Sequence, residues 1–472
     1  MVFSSITFLL YFFPLFLFTY YLAGEKYKNA VILVFSLFFY SWGAPRFVFV
    51  LLLLTGIDFY VVRSMVQQTE VKKRKLLLAL SICINMGLLF YFKYSNFFVD
   101  NVNAAFGSIG MHQLSWVKVV LPIGISFFTF ETLTYSIDAY RGIIKPLNRL
   151  ADYYLYIFLF PKLIAGPIVR FNLIEDQIRQ RHANDDAFIL GFYRFVIGLS
   201  KKILIANTLG AEADRVFGLS ALQLDSGQAW IGILAYTFQI YFDFSGYSDM
   251  ALGIGRMIGF RFPENFDNPY NSASITEFWR RWHMTLGMWM REYLYIPLGG
   301  NKVSPTRLYF NLWVVFLLSG LWHGASWNFV AWGAFHGTFL VLDRIFLLKV
   351  LERTWKIPAV IITFFIVVNG WVLFRIEDFS KAGNFFKALY SFHFVPQARG
   401  LEGETVFAFG LATLFSFLCL TKWGRRVQDR MYDLKLENHR AALQTSVAVI
   451  LFVLCLSWIT TTGFNPFIYY RF

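Results

Sequence analysis

The sequence predicts an all-α polytopic membrane protein, with about eleven transmembrane helices plus re-entrant and interfacial helices. Of its 472 residues, 57% are hydrophobic and 20% are aromatic, and apolar runs recur between charged or Gly/Pro-containing segments. The mean hydropathy is +0.52. A run of about 20 apolar residues can cross a bilayer, and Trp and Tyr gather at its boundaries. We therefore expect a single membrane domain over residues 1–472.

The first predicted element is a spanning helix rather than a cleavable signal peptide, because the opening "MVFSSITFLLYFFPLFLFTYYLAG" has no basic region before its long apolar run. Several later runs are shorter than a span or are interrupted, which predicts re-entrant or interfacial elements among them. The apolar runs lie near residues 6–23, 29–43, 46–62, 76–93, 116–138, 152–169, 187–206, 228–258, 307–322, 326–349, 357–375, 404–421 and 441–460.

Charges in the first three loops predict the orientation. The first loop carries Lys26 and Lys28, the third carries "VKKRK" at 71–75, and the second has only Arg46. Because Lys and Arg favour cytoplasmic loops, we expect the N-terminus outside the cytoplasm. The same rule explains the net charge of +14 as a topology signal rather than a sign of nucleic-acid binding.

The run at 152–169 breaks this alternation. It should cross outward, yet Arg170, Arg179 and Arg181 follow it. Helix-breaking residues in "FPKLIAGPIVR" predict a re-entrant element that returns to the cytoplasm. Irregular backbone at membrane depth is tolerated beside protein or a wet cavity, so we expect this element to line a cavity.

The segment 267–301 contains an S-x-x-E capping box, Ser274 to Glu277, which predicts a helix from about Ile275. Pro297 and the glycines after it end the predicted helix. One face of a continuous helix here would carry Thr276, Trp279, His283, Leu286 and Met290. Two interpretations stay open: a boundary helix with a hydrogen-bonded histidine, or a functional histidine.

Two further histidines lie in "FLLSGLWHGASWNFVAWGAFHG", residues 316–337. His323 follows a full apolar run, and Gly320 and Gly324 beside it permit close helix approach. An ionisable group at membrane depth predicts function, because its burial without a partner is costly. His336 lies 13 residues later, about 20 Å along a continuous helix. We therefore expect His336 to be structural or interfacial, outside the site of His323.

A third polar group interrupts the apolar run "YFDFSGYSDMALGIGRMIG", residues 241–259. Asp243, Tyr247 and Asp249 are predicted either to form internal pairs, such as Asp249 with Arg256, or to make a polar wall of a reaction site. The sequence has no G-x-S-x-G elbow, Walker A loop, H-E-x-x-H motif or Cys/His set, so no metal is expected. A lone intramembrane histidine suits general-base activation of a hydroxyl.

These segments resemble the membrane-bound O-acyltransferase family. "SGLWHGASWNFVAWGAFHG" is similar to its histidine segment, and "FWRRWHMTLGMWMREYLYIPLGGN" to the second signature of its bacterial branch, which acetylates alginate or D-alanylates teichoic acids. "PIGISFFTFETLTYSIDAYRG", "FPKLIAGPIVRF" and "DFSGYSDMALGIGRMIGFRFPENFDNPY" are also similar. The opening "MVFSS" and the closing "NPFIYYRF" resemble the alginate-type subgroup.

The resemblance implies helices around a central reaction chamber, with His323 as the catalytic base and His283 as the second histidine, polarising the thioester carbonyl or holding the acceptor. The two imidazoles should then lie within about 15 Å of each other. No cofactor is implied; the donor is acetyl-CoA or another acyl thioester. Separately from the resemblance, we expect the cavity beside the re-entrant element to be the donor entrance, where Arg170 or Lys162 would meet donor phosphates. The candidate substrate-binding residues are Trp279, Trp282, Asp243, Tyr247, Asn328 and Arg170.

The implied location is a bacterial inner membrane. The implied partners are membrane lipids, a periplasmic acetyltransferase or the polysaccharide acceptor, and a cytoplasmic acyl carrier as a further candidate; nucleic acid is not among them. Two alternatives stay open: a D-alanyl transferase of the teichoic-acid type, and a non-catalytic glycan transporter. A transporter would be expected to show an internal repeat or paired half-helices, which the sequence lacks.

Overall fold

The computed structural model describes residues 1–394, 400–432 and 438–462, and gives no side chains for 438–440 and 462. The closing segment 465–472 lies outside the described residues. Every regular element in the described ranges is helical. The chain divides into two compact units: unit 1 holds Met1–Asn184 and Ile254–Phe262, and unit 2 holds Asp185–Gly253 and Pro263–Phe472.

Unit 1 contains nine α-helices, with π-helical turns at Thr7–Phe12 and Phe90–Tyr94. The helices are α1 (Phe13–Leu22), α2 (Lys28–Gly43), α3 (Phe47–Gln67), α4 (Val71–Leu89), α5 (Ser95–Ser108), α6 (Ile125–Arg141), α7 (Leu150–Phe158), α8 (Phe160–Leu163) and α9 (Glu175–Arg179).

The apolar runs of unit 1 predict its helices with two differences. The helix predicted near 76–93 is longer, because Val71–Ser108 is helical throughout. The run predicted over 116–138 becomes helical only at Ile125. Gly124 lies immediately before this helix with φ +78, and a Cβ there would lie 2.7 Å from the carbonyl oxygen of Leu163. The glycine therefore permits both the left-handed turn and the close approach.

A buried carboxylate joins four helices of unit 1. Asp58 on α3 accepts hydrogen bonds from Ser81 Oγ at 2.5 Å and Asn85 Nδ2 at 3.1 Å on α4. It also accepts from Ser136 Oγ on α6 at 3.4 Å and Tyr153 OH on α7 at 2.7 Å. We call these five residues the Asp58 cluster. All are fully or nearly fully buried, so the four donors compensate the burial of the acidic group.

The segment predicted to be re-entrant is a broken element. α7 ends at Phe158, and α8 has only four residues before extended backbone leads to Arg170. Nine helical residues rise only about 14 Å, too short to cross a bilayer. Lys162 is fully buried and ion-paired with Glu131 on α6. The expectation that Lys162 meets donor phosphates is therefore wrong, because Glu131 already neutralises it.

Unit 2 contains the other thirteen α-helices of the described residues. They are α10 (Asp185–Ser200), α11 (Thr208–Phe217), α12 (Ser226–Met257, whose last residues belong to unit 1), α13 (Ile275–Arg281), α14 (Met284–Met290), α15 (Pro305–His323), α16 (Trp327–Leu342), α17 (Leu348–Arg353), α18 (Lys356–Arg375), α19 (Phe379–Tyr390), α20 (Gly403–Phe417), α21 (Lys422–Met431) and α22 (Asn438–Thr462).

Five helical segments in the described part of the chain are long and apolar enough to cross a membrane, so the predicted count of about eleven is not confirmed. They are Phe47–Gln67, Val71–Ser108, Lys356–Arg375, Gly403–Leu420 and Ala441–Thr461. A sixth apolar helix, Thr7–Leu22, is shorter. The fold class itself, an all-helical polytopic membrane protein, agrees with the sequence.

Candidate active site

His323 is the last residue of α15, at a sharp reversal of the chain. Gly324 caps the helix with extended backbone, and α16 begins at Trp327. The two helices then pack with almost no space between their backbones, because a Cβ on Gly320 would lie 2.2 Å from the carbonyl oxygen of Phe329. This tight hairpin fixes the position of the His323 backbone. The close helix approach predicted from Gly320 and Gly324 is thus present, and the two helices that it joins are α15 and α16.

Aromatic rings enclose His323, which is 8% exposed. The ring centroids of Trp322, Trp332 and Phe374 lie 5.0, 5.2 and 5.3 Å from that of the imidazole, each in an edge-to-face arrangement. Phe374 comes from α18 and Trp332 from α16. Such a wall excludes bulk water and strengthens electrostatic interactions inside it.

His283 lies in a break between α13 and α14, with its backbone in the left-handed region at φ +46. The predicted capping box is present, since Glu277 N donates to Ser274 Oγ at 3.1 Å and the helix begins at Ile275. The prediction of one continuous helix is wrong, however, because α13 ends at Arg281. The turn directs His283 inward independently of either helix face, and the residue is 1% exposed.

Asn265 fixes the His283 ring. Its Oδ1 lies 3.0 Å from His283 Nδ1 and accepts hydrogen bonds from Thr285 Oγ1 at 2.9 Å and Thr285 N at 3.3 Å. Its Nδ2 donates to Ser248 Oγ on α12 at 3.0 Å. A backbone N–H can only donate, so the bond from Thr285 N identifies this amide atom as the oxygen.

It follows that His283 Nδ1 donates to Asn265 and carries the ring proton. Nε2 is then an unprotonated acceptor, and it has no hydrogen-bond partner among the described residues. α13 and α14 have seven residues each, too short to span a bilayer. Burial lowers the pKa of the His283 imidazole to about 3, so the ring is neutral at physiological pH.

One indole ring connects the two histidines. The centroid of Trp322 lies 5.0 Å from that of His323 and 6.0 Å from that of His283. Two contacts to the same ring place the imidazoles closer together than the separation of about 15 Å that a thioester and a hydroxyl would bridge. The structure thus brings together the two histidines that the sequence singled out.

His336 lies nearer to this group than the sequence indicated. The expectation of a continuous helix from His323 to His336 is wrong, because the chain reverses at 324–326. His336 lies 5.1 Å from Trp332 by ring centroids, the same indole that contacts His323, and 4.9 Å from Trp279. It is fully buried, which excludes the interfacial role, and neither ring nitrogen has a hydrogen-bond partner among the described residues.

Three of the candidate substrate-binding residues have structural contacts in unit 2. Trp279 packs edge-to-face on His336, and Trp282 stacks on Phe278 at 5.5 Å between centroids. Asn328 Nδ2 donates to the carbonyl oxygens of residues 373 and 374 at 3.2 and 3.4 Å. These two bonds connect the start of α16 to the end of α18, which supports a structural role for Asn328.

The acidic residues of α12 are ion-paired. Asp243 pairs with Lys202 at 2.7 Å, and both side chains are almost fully buried. Asp249 pairs with Arg194 at 2.5 Å and with Lys201 at 2.6 Å, cations that α10 and the turn after it supply. Tyr247 is buried on the same helix. Arg170 belongs to unit 1 and lies just before a short 3₁₀ turn, Phe171–Leu173.

Sequence reasoning missed Asn265, Trp322, Trp332 and Phe374. Asn265 was one polar residue among several in "PENFDNPY", with no spacing that linked it to His283. The aromatic residues were indistinguishable from the other apolar residues of their runs. No three His, Cys, Asp or Glu side chains within 1–394, 400–432 and 441–461 are grouped so that they could hold a metal ion.

Comparison with known proteins gives a family match over most of the chain. The profile of the family described as "MBOAT, membrane-bound O-acyltransferase family" matches residues 4–376, which include Asn265, His283, His323 and His336.

Three relatives illustrate the similarity. "Probable alginate O-acetylase AlgI" of Pseudomonas aeruginosa is 45% identical over 393 residues, covering 83% of this chain and 75% of the relative. The protein of the same name from Pseudomonas putida is 40% identical over 489 aligned residues, covering 100% of both chains. "Peptidoglycan O-acetyltransferase" of Helicobacter pylori is 35% identical over 418 residues, covering 81% of this chain and 78% of the relative.

Proposed function

Because the chain belongs to the membrane-bound O-acyltransferase family, we propose that it passes an acetyl group from a cytoplasmic thioester donor to an extracytoplasmic acceptor for polysaccharide O-acetylation. The observation that carries this proposal is the placement of two buried imidazoles, His323 and His283, against the single indole of Trp322. The names of the similar proteins support acetyl rather than D-alanyl as the transferred group, and a glycan as the acceptor.

In the proposed reaction, His323 takes the proton of an acceptor hydroxyl while the oxygen of that hydroxyl attacks the thioester carbonyl carbon. A C–O bond forms, the C–S bond breaks, and the proton passes to the departing thiolate. The acetyl group moves directly, without a covalent acyl-enzyme. General-base assistance of this kind typically contributes about 10²–10⁴ in rate, and the aromatic wall keeps competing water away from the thioester.

The tautomer of His283 decides between the two roles suggested for this residue, which are polarising the thioester carbonyl and holding the acceptor. Polarising the thioester carbonyl requires a hydrogen-bond donor, whereas Nε2 is an acceptor while Nδ1 donates to Asn265. We therefore assign His283 to holding the acceptor, with Nε2 accepting a hydrogen bond from an acceptor hydroxyl. Orientation of the acceptor in this way lowers the entropic part of the barrier.

The donor in this proposal is acetyl-CoA or another acyl thioester, delivered free or on a cytoplasmic acyl carrier. The chain lies in a bacterial inner membrane with its N-terminus outside the cytoplasm, as the loop charges predict. A periplasmic acetyltransferase or the polysaccharide itself then receives the acetyl group. Membrane lipids are the remaining partner. Arg170 remains a candidate donor contact.

The test is acetyl transfer by the purified protein in lipid nanodiscs, with radiolabelled acetyl-CoA and an oligosaccharide acceptor. His323→Ala and His323→Gln should each lower the rate by about 10²–10⁴, because neither side chain takes a proton. His283→Ala should lower the rate equally or less, according to whether both rings act as a unit. His393→Ala, at an exposed histidine, is the control and should keep the wild-type rate.

A His323→Gln protein that is inserted, folded and fully active would contradict the assignment of the base. A wild-type protein that binds the glycan but never cleaves a thioester would instead support the transporter alternative.

A further inference from the structure

Unit 1 contains a cleft of about 1000 Å³ that the proposed reaction does not use. Three segments form its walls: 25–29, which leads into α2; 145–152, which leads from α6 into α7; and 178–182, at the end of α9. Two carboxylates, Glu25 and Asp152, contribute to the lining. Six cations outnumber them: Lys26, Lys28, Lys145, Arg149, Arg179 and Arg181.

Part of this positive charge is not neutralised by the protein. Lys28 pairs with Glu25 at 2.6 Å, and Arg179 pairs with Glu175 at 2.7 Å. Among the described residues, no carboxylate lies within ion-pair distance of Lys26 or Lys145, and Arg149 interacts electrostatically with Asp152 without forming an ion pair. Lys145 and Arg149 are both exposed. The cleft therefore has the charge of a site for an anion.

Arg181 gives a second, independent indication. Its guanidinium donates to neutral oxygens only: Asn29 Oδ1 at 2.5 Å and the carbonyl oxygen of Ile258 at 3.1 Å among them. Its Nη2 is buried and has no hydrogen-bond partner among the described residues. The same guanidinium lies 4.6 Å above the ring of Phe260. A buried guanidinium N–H without an acceptor is costly, and a rotation of the Arg181 side chain toward the cleft would let an anionic oxygen satisfy it.

The cleft lies at the ends of helices that expose apolar surface. Leu22 at the end of α1 is 70% exposed, Tyr27 just before α2 is 56% exposed, and Ile143 after α6 is 55% exposed. The Lys26 ammonium lies 4.8 Å above the ring of Tyr27. Tyrosine with adjacent lysine is typical of the lipid–water boundary, where apolar side chains meet acyl chains and cations meet headgroups.

We propose that this cleft binds the phosphate of an anionic phospholipid, with the acyl chains against the exposed apolar side chains at the ends of α1 and α2. Arg149 and Arg181 present planar guanidinium groups that suit phosphate oxygens, and Lys145 adds a point charge. Basic pockets between transmembrane helices select anionic headgroups over zwitterionic ones by this chemistry. The proposal is independent of the acetyl-transfer reaction.

The test is lipid retention, measured by native mass spectrometry on the full-length protein with phosphatidylglycerol and phosphatidylethanolamine in competition. The wild-type protein should retain phosphatidylglycerol preferentially. The double variant Lys145→Ala/Arg149→Ala should weaken that retention about 10-fold, since two exposed side chains without ion pairs are lost. The matched control, Lys302→Ala/Lys349→Ala, removes two exposed lysines of unit 2 and should keep wild-type retention.

A competition experiment with a soluble phosphate ester distinguishes a lipid site from a site for a free phosphate ester. Adenosine 3′,5′-bisphosphate, added at millimolar concentration, should leave the bound phosphatidylglycerol in place, since it cannot use the apolar surface. Displacement of the lipid by this nucleotide would overturn the proposal in favour of a nucleotide site. Equal retention of the two lipids, or unchanged retention in the cleft double variant, would also overturn it.

Discussion

Asn265→Leu tests whether the tautomer of His283 is set by its neighbour. The substitution removes the acceptor of His283 Nδ1 and three further hydrogen bonds that the amide makes to Thr285 and Ser248. The ring then either buries an unpaired N–H or moves its proton to Nε2. In both cases Nε2 is no longer held as an oriented acceptor.

The magnitude follows from these losses. A buried donor without an acceptor costs about 1–3 kcal/mol. Three donors lose Asn265 Oδ1, so the free energy of unfolding should fall by at least about 1–3 kcal/mol. Removing the partner that orients a metal-bound histidine typically lowers activity by about 10–100-fold, and we take the same range for Asn265 and His283. We therefore expect a folded protein whose kcat/KM for acetyl transfer is about 10–100-fold below that of the wild type.

Asn265→Asp separates orientation from simple loss of packing, because it keeps an acceptor for Nδ1. Its carboxylate favours the imidazolium form, so it should raise the pKa of His283 from about 3. The protonated ring has no acceptor nitrogen, so activity should be lost as the pH falls through the raised pKa. The ratio of variant to wild-type rate should be lower at about pH 5.5 than at about pH 8.

The control is Thr285→Val, which removes one donor to Asn265 but leaves the contact with His283 in place. Its acetyl-transfer rate should stay within about threefold of the wild type. The reasoning is refuted if Asn265→Leu folds and transfers acetyl at the wild-type rate, or if Asn265→Asp has the same pH profile as the wild type.

Three further predictions concern packing, burial and topology. Gly320→Ala should lower both thermal stability and activity, because its Cβ would lie 2.2 Å from a backbone oxygen, whereas Gly410→Ala, with nothing within 4 Å, should change neither. Asp58→Leu should lower the melting temperature more than Asp58→Asn, because leucine removes an acceptor from four buried donors, of which Ser81, Asn85 and Ser136 each keep a second partner. In a cysteine-free background and intact cells, Arg179→Cys should resist a membrane-impermeant maleimide while Arg46→Cys reacts, and labelling of Arg179→Cys would show that the re-entrant segment crosses completely.

The sequence predicted elements whose signals are local. The capping box at Ser274 predicted the start of α13, since both partners lie within one turn. The breaks around Pro161 predicted an interrupted element, and the small residues beside His323 predicted close backbone contact. In each case the residues that determine the structure are adjacent in sequence.

The errors arose where a distant residue or an unusual dihedral angle decides the structure. His283 has a left-handed backbone although it is neither Gly nor Asn, so periodicity wrongly continued the helix through it. Because the chain reverses after His323, the distance of about 20 Å calculated for a continuous helix does not apply to His336. Partners such as Glu131 for Lys162 and Arg194 for Asp249 lie 31 and 55 residues away, and one sequence cannot identify them.

The Asp58 cluster has a consequence for biogenesis. Asp58 enters the membrane with α3, but the chain supplies its partner Tyr153 only 95 residues later. At about 5–20 residues per second, this delay lasts roughly 5–20 s. A lone Asp at the centre of a spanning helix costs about 2.5–3.5 kcal/mol at the translocon. α3 can tolerate the delay because its apolar residues give a mean hydropathy of 1.9 over 18 residues. Weakening that apolar surface should therefore cause failure during membrane insertion, before the folded protein forms.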